Sequence, residues 1–127
     1  AGRVNAVTRL PNRTQLFEDL RGRPAGTPSA LMMVEIMGHE RMLAESRAVG
    51  SEPLESLAIA FADRLKRLAG RGVAVYHVGE MRFCLEPAGG NRAQREQFAA
   101  ETVAALSGPM AFDGRAIELA PMAGLVE

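Results

Sequence analysis

The sequence is poor in cysteine, in excess charge and in long apolar runs, and each shortage narrows what the chain can be. A single cysteine, Cys84, cannot close an internal disulfide. That excludes a disulfide scaffold and leads to an expected cytoplasmic location. Lys plus Arg and Asp plus Glu both number 15, so the formal net charge is zero. No electrostatic footprint for nucleic acid or an anionic membrane stands out. No apolar stretch reaches the roughly 18 residues a membrane span needs, and repeats and low-complexity tracts are lacking. His77 has no second His or Cys accompanying it, so it is read as a strand residue and not as a metal ligand. The opening Ala1-Gly2-Arg3-Val4 carries neither an initiator Met nor a signal-peptide pattern, and the chain is expected to be a piece of a longer protein.

What is present is one domain's worth of alternating helical and extended patterns over 127 residues. Asn12 followed three residues later by Gln15 has the form of a capping box, with Leu16, Phe17 and Leu20 on one face of a short helix. Gly22 to Ser29, punctuated by glycine and proline, reads as a loop. Ala30 to Met37 is apolar except for Glu35, the pattern of a strand buried on both faces. His39 to Val49 is expected to form a short helix. Leu54, Leu57, Ala58, Phe61, Leu65 and Leu68 then fall at helical spacing behind Ser51 and Pro53, and Gly70 ends the run. Strands at Val73 to Val78 and Arg82 to Glu86 make a hairpin. Asn91 and Gln94 open another helix, whose inner face is Phe98, Thr102, Ala105 and Leu106 and whose exposed face carries Arg92, Arg95, Glu96 and Glu101. Asp113-Gly114 marks a second hairpin turn, and Ala116 to Val126 is extended. An α+β fold with a mostly antiparallel central sheet and helices packed on it follows. Cys84 and the methionines Met32, Met33 and Met37 read as packing residues, and Gly89-Gly90 reads as loop.

Several segments resemble GGDEF domains, the diguanylate cyclase family. Thr8-Arg9-Leu10-Pro11-Asn12-Arg13 is similar to the family's opening T-G-L-P-N-R. Val34 to His39 lies where the family has an apolar strand ending D-x-D-x-F, and Gly50-Ser51 stands for its G-D. His77-Val78-Gly79-Glu80-Met81-Arg82-Phe83 lies over R-x-G-G-D-E-F. Phe112 to Arg115 and Met122 to Val126 resemble the late D-G-R and S-I-G-I-A segments. The resemblance implies the ferredoxin-like, nucleotide-cyclase palm fold, with the family's last helix and strand lacking.

It also implies a lost active site. Family members join two GTP molecules into cyclic di-GMP with two divalent ions, which need oxygen ligands. Glu35 alone keeps a carboxylate at a matched metal position, while Met81 and Arg82 stand for the two hairpin acids. Two unit charges of like sign at 4 Å repel by roughly 4 kcal/mol at an effective dielectric near 20, and a divalent ion doubles this. Glu80 replaces the second glycine with bulk and negative charge. The base-reading positions fall on Met42 or Leu43 and on Ser51, and Met37 and His39 occupy further nucleotide-site positions. The family's feedback motif falls on Gly70-Arg71-Gly72-Val73 and is not kept. Loss of Mg²⁺ and GTP binding is therefore expected, with no catalytic residue. The implied role is a regulatory or interaction module, with a linked EAL phosphodiesterase or other signalling domain as partner and a homodimer as a further option. A domain that binds GTP without turnover is the alternative, and an active cyclase ranks last. Glu35 and Arg82 are expected to form a direct or water-bridged ion pair in the metal's place.

Overall fold

Leu31–Met37 form β1, the strand on which the rest of the domain is assembled. A computed structural model describes residues 2–25, 30–38, 52–107, 109–112, 115–118 and 120–126. Besides β1, they form α1 (Arg13–Arg21), α2 (Glu52–Ala69), β2 (Val75–Gly79), β3 (Arg82–Leu85), α3 (Arg92–Leu106), β4 (Pro109–Phe112), β5 (Arg115–Glu118) and β6 (Ala120–Val126). The expected helix over His39 to Val49 and the Asp113-Gly114 turn lie outside the described residues. A four-stranded antiparallel sheet runs in the order β2-β3-β1-β6, and β4 and β5 form a separate hairpin. The expected α+β class holds, and no described helix is long and apolar enough to cross a membrane.

β1 alternates more sharply than its composition suggests. Met32, Val34 and Ile36 are fully buried on one face, whereas Leu31, Met33 and Glu35 are only half-buried on the other and Met37 is exposed. The expectation of a strand buried on both faces is corrected, and the reason is unequal cover. The first face is sealed by α2, through Leu57, Ala58, Phe61, Ala62 and Leu65, and by α3, through Leu106. The second meets the short α1, whose Leu16 packs with Tyr76 and Cys84.

Helix ends follow their local chemistry. The Asn12 side chain accepts the Gln15 amide at 3.2 Å, and the Asn91 side chain accepts that of Gln94 at 2.8 Å. The reciprocal half of the first capping box is not made, because the Gln15 side chain bonds Asp19 at 2.7 Å instead. Gly70, at φ 84°, closes α2 in the left-handed region that a β-carbon disfavours. Three expected core residues lie outside it. Phe17 is exposed beneath the Arg13 guanidinium, Leu68 is at the rim, and Ala105 faces solvent. β2 starts at Val75 rather than Val73, since Gly72, at φ 81°, is still turning the chain after α2.

Hydrogen-bond parity positions the hairpin side chains. The Ile36 amide donates to the Met81 carbonyl at 2.9 Å, so the backbone groups of alternate residues of β1, Ile36 and Val34, face β3. Glu35 and Arg82 thus form a non-hydrogen-bonded pair, where side chains of an antiparallel ladder come closest. On the far side of the hairpin, the His77 amide donates outward to the Pro11 carbonyl at 2.9 Å. His77 and Phe83 are therefore the corresponding close pair between β2 and β3.

Candidate functional site around the β2–β3 hairpin

Glu80 and Met81 form a two-residue turn between the paired Gly79 and Arg82. Neither takes the positive φ that the common two-residue turns use. The register instead slips by one residue between His77 and Gly79, and this irregularity lets ordinary residues occupy the turn. Gly79 is closely packed: a β-carbon there would stand 3.2 Å from that of Arg82, which would have to shift by a few tenths of an ångström.

Each signature residue now has a place. Met81 is turned into the main core, while Glu80 is exposed beside it. Arg82 Nη2 donates to Glu35 Oε1 at 3.1 Å, and the side chains are 49% and 42% exposed. The expected ion pair is direct. Such exposure puts its contribution at about 0–1 kcal/mol. Phe83 is fully buried, with its ring stacked on the His77 imidazole at 4.6 Å between centroids. Met37 is exposed at the end of β1. His39, Met42, Leu43 and Ser51 lie outside the described residues.

His77 has a part the sequence did not reveal. Its Nε2 lies 3.1 Å from the Glu80 carbonyl oxygen, which can only accept, so Nε2 carries the proton. Nδ1 is hydrogen-bonded to the Thr8 hydroxyl at 2.9 Å. The ring has both nitrogens occupied and joins the N-terminal segment to the hairpin turn, 69 residues apart in sequence at the Thr8 contact. Its partners are residues that no spacing rule connects.

A second long-range bond fixes α1 on the sheet. The Tyr76 hydroxyl donates to Asp19 Oδ2 at 2.5 Å. Burial, and then this bond to Asp19, push the Tyr76 phenol up to about 12, while the same bond and the Gln15 amide hold the Asp19 carboxyl below its usual value. Cys84, buried beneath α1, has its thiol pushed up to about 11 by burial alone. Near the same helix, Arg3 binds Glu18 and Arg23 pairs with Glu86.

On the core side of the hairpin lies a cavity of about 340 Å³, lined by Asn12, Leu54, Ala58, His77 and Gly79 among others. Neither Glu35 nor Arg82 lines it. Several of its polar groups are already engaged: the Asn5 side chain accepts the Val7 and Thr8 amides, Asn12 caps α1, and His77 is bonded on both sides. Among the described residues, no group of three or more His, Cys, Asp or Glu side chains could hold a metal ion. The carboxylate at the matched metal position instead faces a guanidinium.

No family model matches the sequence, and no curated protein does. Solved structures do match in fold. A diguanylate cyclase/phosphodiesterase from Caldicellulosiruptor saccharolyticus superposes with a TM-score of 0.82 at 22% identity, over 95% of this chain and 72% of that one. The FimX GGDEF domain of Pseudomonas aeruginosa gives 0.80 at 18% identity, over 98% and 79%. The S helix-GGDEF-EAL portion of Vibrio cholerae LapD, bound to c-di-GMP, gives 0.69 at 14% identity, over 98% of this chain and 28% of that one. What these likenesses establish is the architecture: the chain has the fold of GGDEF domains.

Proposed function

We propose that this chain is a catalytically silent GGDEF-type domain that serves as a regulatory or interaction module in bacterial cyclic di-GMP signalling. The single observation that carries the reading is the Arg82–Glu35 pair at 3.1 Å. A two-metal cyclase needs carboxylates free to ligate cations. Here one of the matched positions is a cation and occupies the remaining carboxylate. Met81, at the other hairpin-acid position, is buried among apolar residues and offers no oxygen. A regulatory role beside a linked phosphodiesterase is supported by analogy with LapD, in which a GGDEF and an EAL domain share one chain.

The test is direct. The purified protein is incubated with GTP and Mg²⁺ or Mn²⁺, and cyclic di-GMP is measured against a blank without protein. No product is expected. Product above the blank that disappears in Glu35→Ala overturns the proposal.

GTP binding without turnover is the second reading, and the cavity beside Gly79 is the observation that favours it. The engaged state of Asn5, Asn12 and His77 ranks it lower, since a buried base needs unused donors and acceptors. Calorimetric titration with GTP and ATP separates the two. Micromolar GTP binding with ATP excluded puts the second reading first.

A further inference from the structure

Arg3 to Asn12 form a loop closed by bonds within itself. The Asn5 amide donates to the Leu10 carbonyl at 2.8 Å, the Arg9 amide donates back to the Asn5 carbonyl at 3.0 Å, and the Asn12 amide reaches the Arg3 carbonyl at 2.9 Å. The Asn5 side chain accepts the Val7 and Thr8 amides inside it. Arg9 sits at φ 63°, in the left-handed region that a β-carbon disfavours. A residue stays there only where its surroundings hold it.

This loop meets the sheet at His77 through both backbone and side chain. The His77 amide donates to the Pro11 carbonyl at 2.9 Å, and Nδ1 is bonded to the Thr8 hydroxyl at 2.9 Å. From the same ring, Nε2 holds the Glu80 carbonyl at 3.1 Å. The next carbonyl of the turn, that of Met81, accepts the Ile36 amide at 2.9 Å. Loop and hairpin tip also wall one cavity, with Asn5 and Val7 on one side, Gly79 and Glu80 on another, and Leu54 and Ala58 of α2 on a third.

The imidazole is rigid and only 5% exposed. When the loop withdraws, Nδ1 is left buried without its partner, which is costly. Turning the ring to satisfy Nδ1 elsewhere takes Nε2 off the Glu80 carbonyl in the same movement. We infer that docking of the Arg3–Asn12 loop and closure of the hairpin tip are one two-state equilibrium, with His77 as the positioning residue that couples them, so that the loop regulates the tip and the cavity they share. Leu10, buried in the main core, keeps the undocked state a minor one, and release relaxes the backbone at Arg9. The inference is independent of the catalytic silence proposed above.

Amide hydrogen exchange of the native protein reads the two ends separately. The His77 amide bonds to the loop, the Ile36 amide bonds to the turn, and Met33, whose backbone groups face β6, serves as the control. Thr8→Val removes the hydroxyl at nearly constant shape. It is expected to quicken exchange at His77 and Ile36 by about tenfold, the scale of one lost hydrogen bond, and to leave Met33 unchanged. Thr8→Ser, which returns the hydroxyl, is expected to restore both rates. Arg9→Gly relieves the docked loop of its strained residue and is expected to slow both. A His77 amide that quickens while that of Ile36 holds, an Ile36 rate indifferent to Arg9→Gly, a Thr8→Ser variant that behaves like Thr8→Val, or equal changes at Met33 overturns the inference.

Discussion

Removing the Glu35–Arg82 pair should cost the domain little, although the proposed loss of catalysis rests on it. Both side chains keep almost half of their surface in water, at 42% and 49%, so neither is stranded when its partner is lost. A fully buried pair broken at one end costs about 3–5 kcal/mol, because a bare charge remains in a poor dielectric. The observed exposure places this pair in the other regime, at about 0.2–1 kcal/mol. A double-mutant cycle with Glu35→Gln and Arg82→Met, followed by urea denaturation, isolates the coupling. A coupling energy below about 1 kcal/mol is expected, and it should shrink as salt rises from about 0.05 M to 0.5 M. Coupling above about 2 kcal/mol, or one indifferent to salt, would refute the reasoning and indicate a pair shielded from solvent. The cycle reads the contribution of the pair to the fold alone, apart from the role proposed for Arg82 in silencing the site.

Tyr76→Phe removes the hydroxyl that donates to Asp19 and should lower stability by about 1 kcal/mol in urea titration, the usual net value of a hydrogen bond; no change would show that the bond is idle. The pH dependence has a defined sign. The raised Tyr76 value means that its contribution is complete below the unfolded value near 10 and is lost as pH climbs through about 12. The lowered Asp19 value means that its contribution is present above the unfolded value of 3.8 and is lost as pH falls through the folded one. The stability gap between native protein and Tyr76→Phe should therefore close at both extremes, and a gap constant from acid to alkali contradicts the assignment. Cys84, buried and raised to about 11, should resist a thiol reagent at pH 8 until the protein unfolds; rapid labelling of folded protein would mean that α1 lifts from the sheet.

How far these features could be read from the residues depended on their range. The periodicity of Leu57, Phe61 and Leu65, the caps at Asn12 and Asn91, and the break around Gly79 are local signals, and α2, α1, α3 and the hairpin lie close to where they point. The Glu35–Arg82 pair also followed, because the family resemblance supplied the one non-local fact needed, that the two strands are neighbours. Where only helical spacing was available it assigned Phe17, Leu68 and Ala105 to the core, since spacing identifies a stripe but not the width of the surface that covers it. Thr8–His77 and Asp19–Tyr76 join elements far apart in the chain through single side-chain contacts, and no periodicity encodes those. Met81 was read only as standing at an acid position, and it is a core residue, two residues before Phe83 and opposite Ile36 on the same buried face.

Thr8, His77 and the Glu80 carbonyl form a line of two hydrogen bonds from the incoming chain to the tip of the hairpin. In mechanical terms the imidazole is a strut, stiffened sideways by the Phe83 ring against which it lies. A pull that draws Thr8 outward loads its bond to Nδ1, and beside it the Pro11 carbonyl holds the His77 amide. The N-terminal segment and the tip of the hairpin thus share one side chain, and a displacement of Thr8 bears on the same ring that holds the Glu80 carbonyl.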